Sequence, residues 1–266
     1  MNFMDLMPIL MPTTYGAFLV LERLRPARAQ PQVRGWLLKG IAFFVGGGAL
    51  NAILPAIVLE ALGDRSILHL QGVGTFGGAA LTVLASDLVC YWVHRGLHNS
   101  QPVWRWSHQM HHSAERMDIS GSAFFHPLDT LAQGVLPSIA ITAFLGVSPM
   151  AAAVGGFAGF VLGVAPHLNV RTPAWLGHVF QRPEMHAVHH ERGVHAYNYG
   201  VLALSDRLFG TWRNPESFPA GNFGFWDGAS SATGKMLLGR DVSRLAQAPL
   251  STDAVSMDAR GASTAS

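Results

Sequence analysis

The stretch "DLVCYWVHRGLH" (residues 87–98) decides how the rest of the chain is read, because an apolar run ends in it and a metal-binding pattern begins. On a helix, His94 and His98 lie one turn apart on one face, with Asp87 two turns earlier on nearly the same stripe. A pair at i and i+4 can grip one metal ion. Alone it is weak evidence, since such pairs also occur as interfacial or capping features. Tyr91 and Trp92 read as interface anchors. An ionisable group near the end of a spanning segment is costly, so Asp87 is a functional candidate that either orients a ligating imidazole or pairs with Arg95 or another nearby residue.

Upstream and downstream of this stretch the composition points to a membrane. The chain of 266 residues is 49% hydrophobic and 13% charged, against roughly 25% charged in soluble domains. No charged residue occurs from Ile41 to Leu59, from Ser66 to Ser86, or from Thr130 to Val170, and a spanning helix needs about 20 apolar residues. The longest run is interrupted by "GVSPM" (146–150), where Ser148 suits a cap and Pro149 a first turn, so it reads as a helical hairpin. The expected spans are 6–21 (a marginal one), 41–59, 74–93, 131–147 and 149–166. The first is expected to remain in the mature protein, because neither a basic leader nor a small-residue cleavage site accompanies it. The glycines of "VGGFAGF" (154–160) read as close helix packing.

Basic residues set the orientation. Arg23, Arg25, Arg28, Arg34 and Lys39 crowd the first link, whereas the second holds only Arg65. The positive-inside rule then places the first link, and a cap made of residues 94–130 and 167–226, on the cytoplasmic side of what is expected to be a bacterial inner membrane. From residue 227 to 266 the chain reads as a loosely ordered tail. Cys90 is the single cysteine, which excludes an internal disulfide and a thiolate-rich metal site. Nothing calls for nucleic acid, and the oligomeric state has no signature.

Two further clusters repeat the histidine theme. "WRWSHQMHHSAE" carries His108, His111 and His112 at i, i+3 and i+4, and "RPEMHAVHHERG" carries His186, His189 and His190 at the same spacing. Each triplet shares one helical face. Three imidazoles on one face repel when protonated and lose solvation when buried neutral, so a structural explanation would have to hold twice. His167, where the hairpin returns to the same surface, is a ninth candidate ligand beside Asn169. His126 reads equally as a ligand or as an orienting or capping histidine, His195 is open between ligand and neighbour, and Asp129 and Asn198 are candidates for orienting ligands, as outer carboxylates often do. Arg95 and Asp206 serve at most to hold cap segments together. His178 reads as ordinary surface, and His69 falls in the external loop.

This many imidazoles exceeds the needs of one ion, because zinc takes four ligands and a catalytic zinc three from protein. Two ions fit the count. All-nitrogen ligation suits iron, copper, nickel or zinc. No H-E-x-x-H motif, phosphate loop or nucleophile elbow is found. A dimetal redox centre is the best account of the residues.

In order and spacing, "DLVCYWVHRGLH", "WRWSHQMHHS", "FFHPLD", "HLNV", the "HAVHH" cluster and "NYGVLALSDRLFGT" resemble the fatty acid hydroxylase superfamily, also called the sterol desaturase family. The resemblance runs from about Asp87 to Trp212. It implies an all-α integral membrane bundle of four to five spanning helices, arranged as hairpins, whose cytoplasmic helical cap holds two iron ions. By position, His94, His98, His108, His111, His112, His186, His189 and His190 match the family's histidine boxes, and His167 the histidine that precedes the last box. Ser205 stands where members often have Trp, and Asp129 where many have Glu. The implied activity uses dioxygen to hydroxylate a C–H bond of a fatty acyl, sterol or related lipid drawn from the bilayer. Desaturation starts from the same hydrogen removal. With no haem-binding, flavin or nicotinamide fingerprint in the sequence, electrons are expected from a separate donor such as a ferredoxin or a cytochrome b-type protein with its reductase. Two other classes compete: a membrane zinc hydrolase, indifferent to oxygen, and a metal transporter, which needs polar ligands within its spans.

Overall fold

A computed structural model describes residues 3–63 and 65–243. Among them the regular structure is helical, and pairing of extended chain is confined to isolated bridges. Helix α1 covers Phe3–Leu24, α2 Trp36–Leu62 and α3 Thr75–Asn99; α8 (Leu136–Leu145) and α9 (Pro149–Val164) form the later hairpin. The cap contains α4 (Gln101–Trp106), α5 (Gln109–His112), α6 (Ile119–Ser122), α7 (Pro127–Thr130), α10 (Pro183–His190), α11 (Ala203–Leu208) and α12 (Thr233–Leu237).

Among the described residues four helical segments are long and apolar enough to cross a membrane: 36–62, 75–99, 127–145 and 149–167. Their boundaries follow from length and local chemistry. The Ser148 hydroxyl accepts the Ala151 N–H at 3.2 Å, and Gly146 turns the hairpin at φ 59°. The glycines act where helices touch: a Cβ on Gly155 would lie 2.7 Å from the Thr82 Cβ, and one on Gly78 2.7 Å from that of Ala151. Hence α3 and α9 pack closely along the bundle axis. A π-helical segment at Leu131–Val135 joins α7 to α8, and the side chain of Asn51 occupies the space beside Gly134.

The expected first span does become a helix, α1, which holds Pro8 and Pro12 and is not among those four segments. It packs against α9 and α6. The expected tail boundary at 227 falls too early. The chain continues through α12, and Met236 and Val242 are buried with Trp36, Met110, Ala114 and Phe124 in a cap core. Sparse large residues suggested a tail, but these two reach an existing apolar cluster. Residues 244–266 lie outside the described part. A second departure concerns Tyr91, which is fully buried rather than an interface anchor. Its ring stacks on Phe209, and its hydroxyl accepts from Arg95 (2.8 Å) and Thr211 (3.1 Å). Trp92 beside it is half exposed.

Candidate metal centre

The helices carry all nine expected histidines to one end of the bundle, where they separate into two adjoining groups. His94, His98, His108, His112 and His189 form the first, and His111, His167, His186 and His190 the second. Within each group the ligand-capable atoms lie within 4.8 Å of one another. The groups touch, with the rings of His112 and His190 stacked at 4.2 Å.

Helix geometry explains the partition. Residues i and i+4 are offset by about 40° around a helix, whereas i+3 and i+4 are about 100° apart. The pairs 94/98, 108/112 and 186/190 therefore each stay within one group, while His111 and His189 cross to the other. The triplets do not each build a site; each contributes to both. The first triplet occupies a single short turn, with His108 at the N-cap of α5 and the His112 N–H donating to its carbonyl at 3.3 Å.

The nitrogen atoms are placed as ligands rather than as hydrogen-bonding partners. In the first group the His108 Nε2 lies 2.9 Å from that of His94 and 3.1 Å from that of His112. In the second, Nε2 contacts of 3.1 Å run from His111 to His167 to His186 to His190. The His94 Nδ1 faces the Tyr199 carbonyl at 2.9 Å, and the His108 Nδ1 faces the Asp129 carboxylate at 2.7 Å. Both acceptors require the proton on Nδ1, which leaves two Nε2 lone pairs opposed at close range. Burial first, and neighbouring imidazoles next, hold His111, His112, His186, His189 and His190 well below the usual histidine range. Nitrogens bound to one ion at about 2.0–2.1 Å stand about 3 Å apart, so a cation resolves the repulsion in the first group, and the spacing of the second suits one as well. The buried Nε2 atoms of His98 and His189, which lack hydrogen-bond partners, fit the same reading.

Around the first group lies an orienting layer. Gln133 donates to the other oxygen of Asp129 at 2.7 Å, and the His189 Nδ1 meets the Tyr197 carbonyl at 2.8 Å. His195 stands behind His112, with Nδ1 atoms 3.1 Å apart, and burial lowers its pKa to about 4. The loop that presents the two carbonyls is strained: His195, Tyr197 and Asn198 all adopt positive φ. Asn198 clamps it, donating to the carbonyls of Met185 (2.8 Å) and Arg213 (3.0 Å) and accepting the Arg213 N–H. Asp206 holds the next turn through the Tyr199 and Gly200 N–H groups.

Other candidates find different work. Asp87 neither touches an imidazole nor pairs with Arg95; it accepts three backbone N–H groups and a hydroxyl from residues 201–205. His126 caps α7, accepting the Leu128 N–H at 3.1 Å, and belongs to neither group. The Asn169 side chain bonds the Arg28 backbone in both directions and so pins the α1–α2 link rather than a ligand. His178 is exposed beside Arg207, and His69 bonds Ser66 in the α2–α3 link. Sequence reasoning missed Gln133, Tyr197 and Tyr199. For Gln133 the i+4 spacing from Asp129 was the available signal; for the tyrosines there was none, because the working groups are main-chain carbonyls.

This arrangement defines a class, a helical multi-pass membrane protein with two adjoining all-imidazole clusters able to hold metal. Comparison with known proteins makes the class particular. The chain belongs to the fatty acid hydroxylase family, whose pattern it matches over residues 79–211, half of its length. It is 31% identical over 140 residues to an ornithine lipid hydroxylase of Rhizobium tropici, covering 51% of this chain and 41% of that one. It is 33% identical over 131 residues to a Delta(7)-sterol 5(6)-desaturase of Leptosphaeria maculans (49% and 35%) and 30% identical over 168 residues to an alkylglycerol monooxygenase of Danio rerio (55% and 34%). The matches thus span less than half the length of these relatives. No solved structure gives a significant match.

Proposed function

We propose that the chain is a membrane-bound oxygenase that holds two iron ions, one in each histidine group, and uses dioxygen and external electrons to hydroxylate a C–H bond of a lipid. The observation that carries this reading is the pair of adjoining imidazole clusters at one end of an apolar helical bundle. Relatives that hydroxylate, desaturate or mono-oxygenate lipids support it. The positive-inside distribution supports clusters facing the cytoplasm, in a bacterial inner membrane. Electrons would come from a separate ferredoxin or cytochrome b-type carrier. Residues 1–226, extended by the packed segment to 243, are read as one hydroxylase domain.

When bound, two iron ions supply the reduction of dioxygen and the removal of hydrogen from an unactivated C–H bond. The protein's part is legible atom by atom. Asp129 and the carbonyls of Tyr197 and Tyr199 hold the Nδ1 protons of His108, His189 and His94, which aims each Nε2 inward. Burial of the imidazoles, together with Tyr199 packed 5.4–5.5 Å from the rings of His94, His98 and His189, excludes water from the first group. Five imidazoles converge there, one more than a tetrahedral zinc site accepts, which disfavours the zinc hydrolase. The transport reading needs free polar groups in the spans, and the Asp87 carboxylate is already engaged.

Metal analysis of the purified chain is expected to find two irons. Lipid mass spectrometry of cells carrying the intact protein or His189→Ala is expected to find one added oxygen in a product that the variant lacks. Loss of two hydrogens instead identifies desaturation, and activity unchanged without oxygen identifies a hydrolase. Only trace iron, together with undiminished product from His108→Ala, overturns the proposal.

A further inference from the structure

Helix α11 and the turn at 174–180 are joined into one ledge on the side of the cap. The Ala203 N–H donates to the Val179 carbonyl at 2.9 Å, the Gln181 N–H to that of Val201 at 3.2 Å, and Phe180 bridges to Leu202. The outer surface of this ledge is largely apolar, its exposed polar groups being the neighbouring His178 and Arg207. Trp175 is 66% exposed and Leu208 67%, and Val179, Phe180, Leu204 and Phe209 are exposed beside them. None of these residues lies in the four apolar helical segments.

Asp87 fixes the height of the ledge. It lies twelve residues beyond Thr75 in α3, about 18 Å along a helix that must cross about 30 Å of hydrocarbon. Its carboxylate accepts the N–H groups of Val201 (3.0 Å), Leu202 (2.8 Å) and Ser205 (3.1 Å), and the Ser205 hydroxyl at 2.7 Å. Residues 201–205 therefore run beside α3 more than a turn below Trp92, on which the Phe209 ring packs at 4.8 Å. Leu84, Leu88 and Trp92 of α3 are exposed as well, and Trp92 meets the ledge at Phe209. Irregular backbone at membrane depth must have its polar groups satisfied internally. Asp87 does this, which accounts for a carboxylate in an otherwise apolar helix. At the rim, the exposed Arg207 lies with its guanidinium over Trp212 at 4.6 Å, suited to lipid phosphate.

We infer that residues 174–180 and 201–209 form a re-entrant ledge seated in the bilayer leaflet nearest the histidine groups, with acyl chains against its apolar face and headgroups at Arg207. The inference goes beyond the oxygenase reading and holds whatever the metal or reaction. It also sets the first histidine group close to lipid: Tyr199 contacts three of its imidazoles and, at 6.0 Å, Tyr91, which stacks on Phe209 of the ledge.

Photolabelling of the wild-type chain tests this without any variant. The full protein is reconstituted in phosphatidylcholine–phosphatidylglycerol vesicles containing a trace of phosphatidylcholine with a diazirine on its acyl chain, irradiated, and mapped by mass spectrometry. Residues 172–180 and 204–209 are expected to take label within a few-fold of the α3 stretch 84–92, and about tenfold above the cap stretch 214–222. Label at the ledge no higher than at 214–222, with 84–92 labelled, means that the ledge faces water or a protein partner and overturns the inference.

Discussion

The two histidine groups are built from the same helices but supported differently. In the first, His94, His108 and His189 each have Nδ1 fixed by a carbonyl or carboxylate, and His195 stands behind His112. In the second, the Nδ1 atoms of His111 and His186 are buried without a hydrogen-bond partner, and His111 is held by its ring, stacked on Phe125 at 4.2 Å. Hydrogen bonds at the far nitrogen fix tautomer and aim and raise basicity, whereas stacking fixes only the plane. The first group is thus the pre-organised site and the second the more compliant one.

The largest break in this comparison comes from removing a ligand. His108→Ala takes away the imidazole whose Nε2 meets two others; iron content is expected to fall from two to about one per chain and product formation to background, by metal analysis and lipid mass spectrometry. Next in size is Asp129→Ala. Loss of such an outer carboxylate weakens metal binding about 10- to 100-fold, so chelator titration, expected to be biphasic for the wild type with the second group emptying first, becomes monophasic. Retention of the wild-type order of release would show that the hydrogen-bonded layer does not set affinity. Asn198→Ala acts one layer further out, through the loop that carries two of the carbonyls. It is expected to cost about 1–3 kcal/mol in unfolding experiments and to loosen the first group's metal with little change at the second. Acid acts on both groups at once. The pKa values of His111, His112, His186, His189 and His190 are lowered in the folded protein, so below about pH 6.5 the unfolded chain binds more protons. Stability of the metal-stripped protein should therefore fall as pH drops through that value and stay level above it, as followed by circular dichroism.

Much of this was legible beforehand, and the reason differs by element. Spans and the 146–150 hairpin could be read because hydrocarbon thickness imposes a length, and Ser148 and Pro149 carry local capping chemistry. Eight of the nine histidines could be chosen because their i, i+3, i+4 spacing is itself a geometric statement, and His167 because the hairpin returns there to the same surface. Asp87 and Asn169 were read too close to the metal because a polar residue near a ligand in sequence has several backbone segments within reach, and only packing selects among them. The boundary at 227 was misplaced because Met236 and Val242 gain their meaning from a core assembled by residues as distant as Trp36.

What the sequence alone determined is the helical class, the membrane-length segments and the set of histidines that cluster, since each depends on periodicity or length within one segment. The division of the histidines between two groups depended on the azimuth at which α3, α5 and α10 meet, and their aim on carbonyls of a loop brought there by Asp87, Asn198 and Asp206. Those were decided only in three dimensions, because relative helix rotation is set by packing and a backbone carbonyl is the same group in every residue.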